Sequence, residues 1–318
     1  MTLLLSIQGA GDNWATAAWK ERFQRRLPDK KVVLAGQDQF DPALVRFAAV
    51  WKPTPGLLAS LPNLKVIFNL GAGVDALLAD QTLPDVPLVR AVSRDLTQRM
   101  TEYVTLHVLL HHRRLPMLQA AQRERVWMAR DQWAAGDVRV GVMGLGELGR
   151  DASEVLLRLG FRVNGWSRGP RDVAGVTSFH GDDGLKAFLM VTDILVVLLP
   201  LTTETRGILN RGLFQQLARD GVLGAPVLIN AGRGGLQVET DIISCLDDGT
   251  LGAVTLDVFE TEPLPAASAL WGHPGVLLTP HNAADSDPGA ISDLIVKQLL
   301  AYERGEPLMN VVKRATGY

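Results

Sequence analysis

The sequence has one cysteine, little net charge and no long apolar run. Because Cys245 is alone among 318 residues, an internal disulfide framework and a cysteine-rich zinc site are excluded, and a reducing, cytoplasmic compartment is expected. The 32 basic and 34 acidic residues give a formal net charge of −2, so no overall field favours nucleic acid or an anionic membrane. The apolar run at 194–199 stops at Pro200, far short of a bilayer span.

An N-terminal targeting segment is not expected either. The apolar run at 3–7 has no basic segment before it, and the turn-forming stretch Gly9–Asp12 ends it early. It therefore predicts a first β-strand rather than a signal peptide. The chain also lacks internal repeats and blocks of like charge.

What the sequence does contain is a regular alternation of strand and helix patterns. The length predicts two domains, and 47% hydrophobic with 21% charged residues is typical of a folded chain. Alternation of this kind predicts an α/β fold with two doubly wound parallel-sheet domains. Predicted strands occupy 3–7, 31–34, 47–51, 66–70, 87–89, 138–143, 161–166, 194–199, 227–230, 253–257 and 276–279. Predicted helices occupy 14–27, 41–47, 101–115, 151–159 and 290–303.

A glycine loop between a strand and a helix is the strongest local motif. Gly144, Gly146 and Gly149 form the G-x-G-x-x-G pattern after the strand at 138–143. The first glycine permits the tight turn, the second lets the backbone approach a pyrophosphate, and the third lets helix and strand pack closely. The phosphates would face the helix N-terminus. The loop therefore favours dinucleotide binding over an ordinary glycine turn.

The residues after the next strand predict which dinucleotide is bound. Sites that prefer NAD carry an acidic side chain there, on the ribose hydroxyls. This chain has Ser167 and Arg168, with Arg171 close by, and a hydroxyl with a guanidinium suits a 2′-phosphate. The prediction is NADP(H), with NAD(H) possible, unless Arg168 is only a solvated loop residue.

A competing motif lies at the same place. Gly165–Gly169 matches the G-x-S-x-G nucleophile elbow around Ser167, and Asp257 and His281 follow in the order found in α/β-hydrolases. A nucleophile elbow turns directly into a helix, whereas here Pro170 follows and no helical pattern begins before about Asp182. A serine hydrolase is therefore the minority hypothesis.

Three later strands each end in polar residues that together suit 2-keto acid reduction. They supply Arg233, the carboxylates Glu260 and Glu262, and His281. The carboxyl ends of parallel strands meet at one edge of a sheet, where ligands bind. A guanidinium can bind the carboxylate and polarise the ketone, a histidine can donate the proton, and a carboxylate can hold the imidazolium.

These segments also carry a family resemblance that extends over most of the chain. The sequence resembles the D-isomer-specific 2-hydroxyacid dehydrogenases in its GLGELG, NAGRGG, LDVFETEPLP and LTPHNAA segments. The resemblance implies that Arg233 binds substrate, that Glu262 is the histidine's partner and that His281 is the acid/base. Glu260 is the competing carboxylate, but the one directly before Pro263 matches the family motif.

The resemblance further implies the substrate and cofactor contacts. The NLGAGVD segment at 69–75 resembles the family's substrate loop, whose backbone N–H groups at Ala72 and Gly73 would hold a carboxylate. The VWKP segment, which contains the implied substrate contact Trp51, most resembles the glyoxylate/hydroxypyruvate reductase branch of the family, which prefers NADPH. The remaining cofactor-binding residues implied are Glu147, Leu148, Leu199, Pro200, Thr205, Asn230, Ala231, Gly232 and Asp257.

Domain organisation and assembly also follow from the resemblance. It implies a Rossmann cofactor domain, 99–285, inserted into a flavodoxin-like substrate domain formed by 1–98 and 286–318. The connection at 99–136 implies a homodimer, in which Trp127 would contact substrate. Asn282, Asp285 and Asp287 depart from the family pattern, and the two aspartates place acid near the expected site.

Three histidines lie on one predicted helix, at a spacing that could bind a metal ion. His107 and His111 are four residues apart, but Val108 stands where a zinc protease has glutamate. Surface or subunit-contact positions are therefore expected for these two and for His112, and no metal site is predicted.

The sequence thus predicts NADPH-dependent reduction of a small 2-keto acid, of the glyoxylate or hydroxypyruvate type, to the 2-hydroxy acid. Two alternatives stay open beside the serine hydrolase. One is a dinucleotide-sensing binding protein without turnover, and the other is a dehydrogenase of the same family for another acid. The expected partners are the small acid and a second copy of the chain, with no nucleic acid and no membrane.

Overall fold

The computed structural model describes residues 2–9 and 14–314, so most of the turn predicted at Gly9–Asp12 lies outside the described residues. The chain divides into two compact units. Unit 1 is Met1–Leu96 with Ser286–Tyr318, and unit 2 is Thr97–Asp285. No helix within the described ranges is long and apolar enough to cross a membrane.

Unit 1 is built on a five-stranded parallel sheet. Its strands are β1 (Thr2–Ile7), β2 (Lys31–Leu34), β3 (Val45–Trp51), β4 (Val66–Asn69) and β5 (Leu88–Arg90). Its helices are α1 (Thr16–Arg26), α2 (Asp75–Leu78), the first residues of α3 (Arg94–His112) and the last helix, α9 (Pro288–Glu303). The strand order β2-β1-β3-β4-β5 is that of a flavodoxin-like doubly wound sheet.

The sheet of unit 1 is buried on both faces, which explains why its strands are continuously apolar. Successive side chains of a strand point to opposite faces. Leu3 and Leu5 accordingly pack with the α1 residues Trp19 and Phe23 and with Leu299 of α9. Leu4, between them, packs in the core on the other face.

Unit 2 is built on a seven-stranded parallel sheet. Its strands are β6 (Arg139–Met143), β7 (Arg162–Ser167), β8 (Thr177–His180), β9 (Ile194–Val197), β10 (Val227–Asn230), β11 (Ala253–Leu256) and β12 (Val276–Leu278). Its helices are the rest of α3, then α4 (Leu115–Arg123), α5 (Glu147–Arg158), α6 (Gly181–Met190), α7 (Arg211–Phe214) and α8 (Glu239–Asp247). The order β12-β11-β10-β9-β6-β7-β8 reverses direction between β6 and β9. Ligands of such sheets bind at this switch point, beyond the carboxyl ends of the strands.

The predicted α/β class with two doubly wound parallel sheets is confirmed, but three local predictions were wrong. Residues 41–47 are not a helix, because only Pro42–Leu44 form one 3₁₀ turn and Val45 already begins β3. Strand β8 was missed because Thr177–His180 is a short, largely exposed edge strand without an apolar run. Helix α3 starts at Arg94 rather than 101, after Ser93 accepts the N–H of Leu96 at 3.1 Å as its cap.

The expectation of surface histidines on α3 was also wrong. His107, His111 and His112 are all buried in unit 2. His107 bonds the carbonyl of Tyr103, and Nε2 of His111 lies 2.8 Å from the Thr255 hydroxyl on β11. Burial lowers the pKa of each, that of His111 to about 4.

Candidate active site

The glycine loop after β6 has the geometry that its sequence predicts. Gly144 adopts φ +115°, and a Cβ there would lie 2.9 Å from the carbonyl oxygen of Leu198. Gly149, in the first turn of α5, packs directly against the Gly144 carbonyl, with no room for a side chain. These two glycines therefore close the turn and set helix α5 against the strand.

Gly146 differs from its two neighbours, because a Cβ there would meet open space. It is the N-cap of α5, so the first N–H groups of the helix point out of the turn without a side-chain cap. Backbone that is open at a helix N-terminus fits a pyrophosphate group. Glu147 and Leu148 follow in that turn, and the Glu147 carboxylate pairs with Arg150 at 3.2 Å.

The end of β7 carries the residues predicted to read the ribose. Ser167 is its last residue, and its hydroxyl donates to the carbonyl of Gly169 at 2.9 Å. Arg168 is about half exposed, with Nη1 4.0 Å from Oε2 of Glu204. Arg171 is exposed. Beyond β9, which lies on the other side of β6 in the sheet, Thr205 donates to the carbonyl of Pro200 at 2.8 Å, which fixes the loop after Leu199.

The same geometry disfavours a serine hydrolase. After Ser167 the chain runs into bends, and no helix begins before α6 at Gly181. Strand β7 lies five strands away from β12, the strand before His281. At about 4.8 Å per strand the two strand ends are roughly 24 Å apart. Ser167 is therefore outside the reach of His281.

The loop that follows β10 holds Arg233 in place through Asn230. The buried amide of Asn230 donates to the Arg233 carbonyl at 3.1 Å and to Gln237 at 2.8 Å, and its oxygen accepts the N–H of Gly232 at 3.0 Å. Ala231 is buried beside it. The Arg233 guanidinium donates to the Gly232 carbonyl at 2.7 Å, so the side chain lies back along its own loop.

This loop and the one after β11 are in direct contact. The backbone of Gly234 packs against the backbone of Phe259, where a Cβ would not fit. Gln237 adds a bond from its amide to the Val258 carbonyl at 3.0 Å. Gln237 is not a predicted reacting group, so no catalytic motif in the sequence pointed to it. Its buried side chain nevertheless helps to hold the two loops of the site together.

Glu262 and His281 form the hydrogen-bonded pair that the sequence predicted. Oε2 of Glu262 lies 2.7 Å from Nδ1 of His281, and its other oxygen accepts the N–H of Phe259 at 3.1 Å. The competing carboxylate, Glu260, is paired instead with Arg206 at 2.9 Å. The two carboxylates therefore have different bonding partners, and only Glu262 contacts His281.

His281 is held in an uncommon backbone conformation by Asp257. Its φ of +52° lies in the left-handed region, and its N–H donates to the Asp257 carbonyl at 2.8 Å. The Asp257 carboxylate is buried and accepts the N–H groups of Asn282 at 3.0 Å and Ala283 at 3.1 Å. The structure therefore directs the Asp257 carboxylate, predicted from the resemblance to lie near the cofactor, towards the turn that carries His281.

The predicted substrate loop belongs to unit 1. Asn69, at the end of β4, donates to the carbonyls of Gly71 and Gly73, both at 2.7 Å. The ring of Trp51 lies against Gly71, and it stacks on Trp14 with 4.9 Å between ring centroids. The loop's carbonyls are therefore tied to Asn69. Asn69 was part of the motif but had no predicted role.

One acidic departure from the family pattern, Asp287, has a local structural explanation. In unit 1, Asp287 is the N-cap of α9, and its carboxylate accepts the N–H of Ala290 at 2.7 Å. Asp95 accepts the N–H of Asp287 at 2.9 Å. The carboxylate of Asp287 therefore stabilises a helix end.

A Rossmann-type sheet with a glycine turn at its switch point, and with Arg233 and a Glu262–His281 pair on its later strand ends, defines an NAD(P)-dependent oxidoreductase. The chain matches the family described as "D-isomer specific 2-hydroxyacid dehydrogenase, NAD binding domain" over residues 105–283. It belongs to the D-isomer specific 2-hydroxyacid dehydrogenase family.

Whole-chain comparisons place it in one branch of that family. It is 40% identical over 306 residues to glyoxylate/hydroxypyruvate reductase A of Serratia proteamaculans, covering 94% of this chain and 96% of that relative. The NADPH-dependent glyoxylate/hydroxypyruvate reductase of Sinorhizobium meliloti, solved with NADP and sulfate, is 44% identical, with a TM-score of 0.93 and coverage of 100% and 99%. A 2-hydroxyacid dehydrogenase of Xanthobacter autotrophicus, solved with NADPH and MES, is 42% identical, with a TM-score of 0.92 and the same coverage. The resemblance to the glyoxylate/hydroxypyruvate reductase branch is confirmed.

Proposed function

We propose that the protein reduces a small 2-keto acid, of the glyoxylate or hydroxypyruvate type, to the 2-hydroxy acid with NADPH. The observation that carries this proposal is the 2.7 Å bond between Glu262 and Nδ1 of His281, since it sets up one histidine as a proton donor. Two of the relatives described above support the substrate class, because they are glyoxylate/hydroxypyruvate reductases.

His281 is assigned as the general acid. Nδ1 is engaged by Glu262, so in the imidazolium the proton on Nε2 is the one that goes to the ketone oxygen. Glu262 stabilises that imidazolium and fixes the orientation of the ring. Arg233 binds the substrate carboxylate and stabilises the negative charge that develops on the oxygen. For the reverse reaction the same histidine acts as the base.

NADPH, when bound, supplies the hydride that adds to C2 of the keto acid. The open backbone at Gly146 would hold its pyrophosphate at the N-terminus of α5. Ser167 and Arg168 would bind the 2′-phosphate, with Arg171 nearby, and the absence of a carboxylate at this strand end favours NADPH over NADH. Both NADP-bound relatives support this choice.

Three further assignments belong to the same proposal. Backbone N–H groups of Ala72 and Gly73, with Trp51, bind the keto acid. The chain forms a homodimer through residues 99–136, where Leu106, Val126 and the 96%-exposed Trp127 present apolar surface. It acts in the cytoplasm, in keeping with its single, buried cysteine, Cys245.

Nicotinamide absorbance tests the function directly. The wild-type protein is expected to oxidise NADPH with glyoxylate and hydroxypyruvate, and NADH more slowly. Glu262→Gln should lower kcat by about a hundredfold or more, since the imidazolium loses its charged partner. The matched control is Glu260→Gln, which removes an equal charge two residues away and should leave kcat near wild type.

Equal losses in the two variants would refute the assignment of Glu262. No oxidation of either cofactor, in protein that still binds NADPH, would refute the keto acid activity. That result would favour a dehydrogenase for another acid or a dinucleotide-sensing protein.

A further inference from the structure

A chain of hydroxyl groups connects helix α3 to the turn that carries His281. The phenol oxygen of Tyr103 lies 2.8 Å from Oγ1 of Thr279, and that hydroxyl lies 2.6 Å from Oδ1 of Asp257. Tyr103 is 8% exposed and Asp257 only 1%. All three side chains belong to unit 2, and none has been assigned a part in proton transfer above.

The direction of each bond in this chain follows from its end. The Asp257 oxygens accept two backbone N–H groups, so the carboxylate acts as the acceptor for Thr279 as well. The Thr279 hydroxyl donates its single proton to Asp257. It can therefore only accept in its bond with Tyr103, so the phenol of Tyr103 is the donor. Burial raises the pKa of Tyr103, which keeps the phenol protonated and preserves that direction.

Asp257 is hydrogen-bonded to the backbone on both sides of His281. Its carbonyl accepts the N–H of His281, and its carboxylate accepts the next two N–H groups, of Asn282 and Ala283. A left-handed residue such as His281 persists only where its surroundings impose that conformation. The Asp257 carboxylate, oriented by Thr279, thus helps to hold the backbone turn from which the imidazole of His281 projects towards Glu262.

We propose that Tyr103 and Thr279 are positioning residues that act on His281 through Asp257. The proposal rests on the function assigned to His281 above. Neither residue contacts the predicted reacting atoms, so their removal should affect the proton-transfer geometry and leave keto acid and NADPH binding intact. Displacing a reacting group by about 1 Å is enough to lower a rate by up to a hundredfold.

The test compares three variants with a matched control. Thr279→Val keeps the shape but removes the hydroxyl, and should lower kcat by about tenfold or more with the KM for glyoxylate and the Kd for NADPH unchanged. Thr279→Ser should restore most of kcat. Tyr103→Phe keeps the ring and should give a smaller loss in kcat alone. The control is Thr255→Val. This variant removes the hydroxyl that bonds to His111 on α3, and it should keep wild-type kcat.

A wild-type kcat in Thr279→Val, an equal loss in the serine variant, or a rise in KM without a change in kcat would each overturn the proposal. If Thr279→Val does not fold, Tyr103→Phe is judged by the same criteria.

A spectroscopic readout separates this proposal from the proposed function. The Nδ1 proton of His281 bonded to Glu262 should give a strongly deshielded ¹H resonance, identified by its absence in Glu262→Gln. We expect Thr279→Val to shift or broaden it and Thr255→Val to leave it unchanged. An unchanged resonance in Thr279→Val refutes the positioning role, even if the wild-type protein turns over no keto acid.

Discussion

Two carboxylates two residues apart have different surroundings and therefore different chemistry. Glu262 contacts His281 and a backbone N–H, whereas Glu260 is tied to Arg206 on another loop. The resemblance to the family had implied that Glu262, from its place before Pro263, is the carboxylate that contacts His281. The sequence had no signal for Arg206, because that residue is distant along the chain and approaches only when the loops after β9 and β11 have folded.

Arg168 is the residue on which cofactor preference should depend. Arg168→Ala removes the guanidinium proposed to bind the 2′-phosphate, so kcat/KM should fall with NADPH and change little with NADH. A charged hydrogen bond contributes about 1.5–3 kcal/mol, which corresponds to a loss of roughly tenfold to a hundredfold in the NADPH/NADH ratio. Steady-state kinetics with both cofactors measures that ratio.

The control for this change is Arg158→Ala, which removes the same charge from the exposed side of α5, where Arg158 faces Glu154. It should leave the ratio unchanged. If the two variants behave alike, the phosphate is bound elsewhere and Arg168 is a solvated loop residue.

At the scale of elements, two glycines of the turn between β6 and α5 should have different roles. Gly149 is expected to be required for folding, and Gly146 for cofactor binding. Gly146→Ala adds a methyl group to open space, so the melting temperature without cofactor should stay near wild type while the Kd for NADPH rises. Gly149→Ala instead forces the methyl group into the Gly144 carbonyl and should destabilise the fold by more than about 1 kcal/mol. Thermal melts without cofactor and NADPH titrations distinguish the two.

A large drop in melting temperature for Gly146→Ala, or unaltered NADPH binding by that variant, would contradict the assignment of this glycine to the pyrophosphate. Unaltered stability of Gly149→Ala would mean that α5 can move away from its strand.

The elements predicted most accurately are those that have a clear hydrophobic pattern in the sequence and both faces buried in the fold. Strands such as β9 and β10 were placed closely because short runs rich in Val, Ile and Leu are typical of strands buried on both faces of a parallel sheet. The helix predicted at 41–47 failed because pairing with β1 draws Val45 and Phe47 into the sheet. The edge strand β8 has polar, exposed residues, and its pairing with β7 alone defines it.

At the scale of the whole molecule, the three buried histidines of α3 predict acid sensitivity. Burial lowers the pKa of His111 from 6.5 to about 4, so the unfolded chain binds this proton more readily than the folded one. The free energy of unfolding should therefore be highest above pH 6.5 and fall as the pH decreases towards 4. His111 alone accounts for a loss of about 3 kcal/mol over that window.

Melting temperatures at pH 7 and pH 5 measure this effect. His111→Gln keeps a hydrogen-bonding group for Thr255 without the titration, and its melting temperature should fall less between the two pH values than that of the wild type. His180→Gln, at an exposed position, should fall as much as the wild type. Equal falls in all three proteins would show that His111 does not titrate differently on unfolding.

The division of the chain between the two units has a consequence for how the protein is made. Strand β1 emerges from the ribosome before unit 2, yet the helix that covers its sheet beside α1 is α9, which is translated after the whole of Thr97–Asp285. Unit 2 is contiguous and can fold as soon as it is synthesised. Unit 1 must wait with one face of its sheet incomplete. The strands of unit 1 that are synthesised before unit 2 are thus the last to be covered, and of the two units they are the part that most needs protection from aggregation during translation.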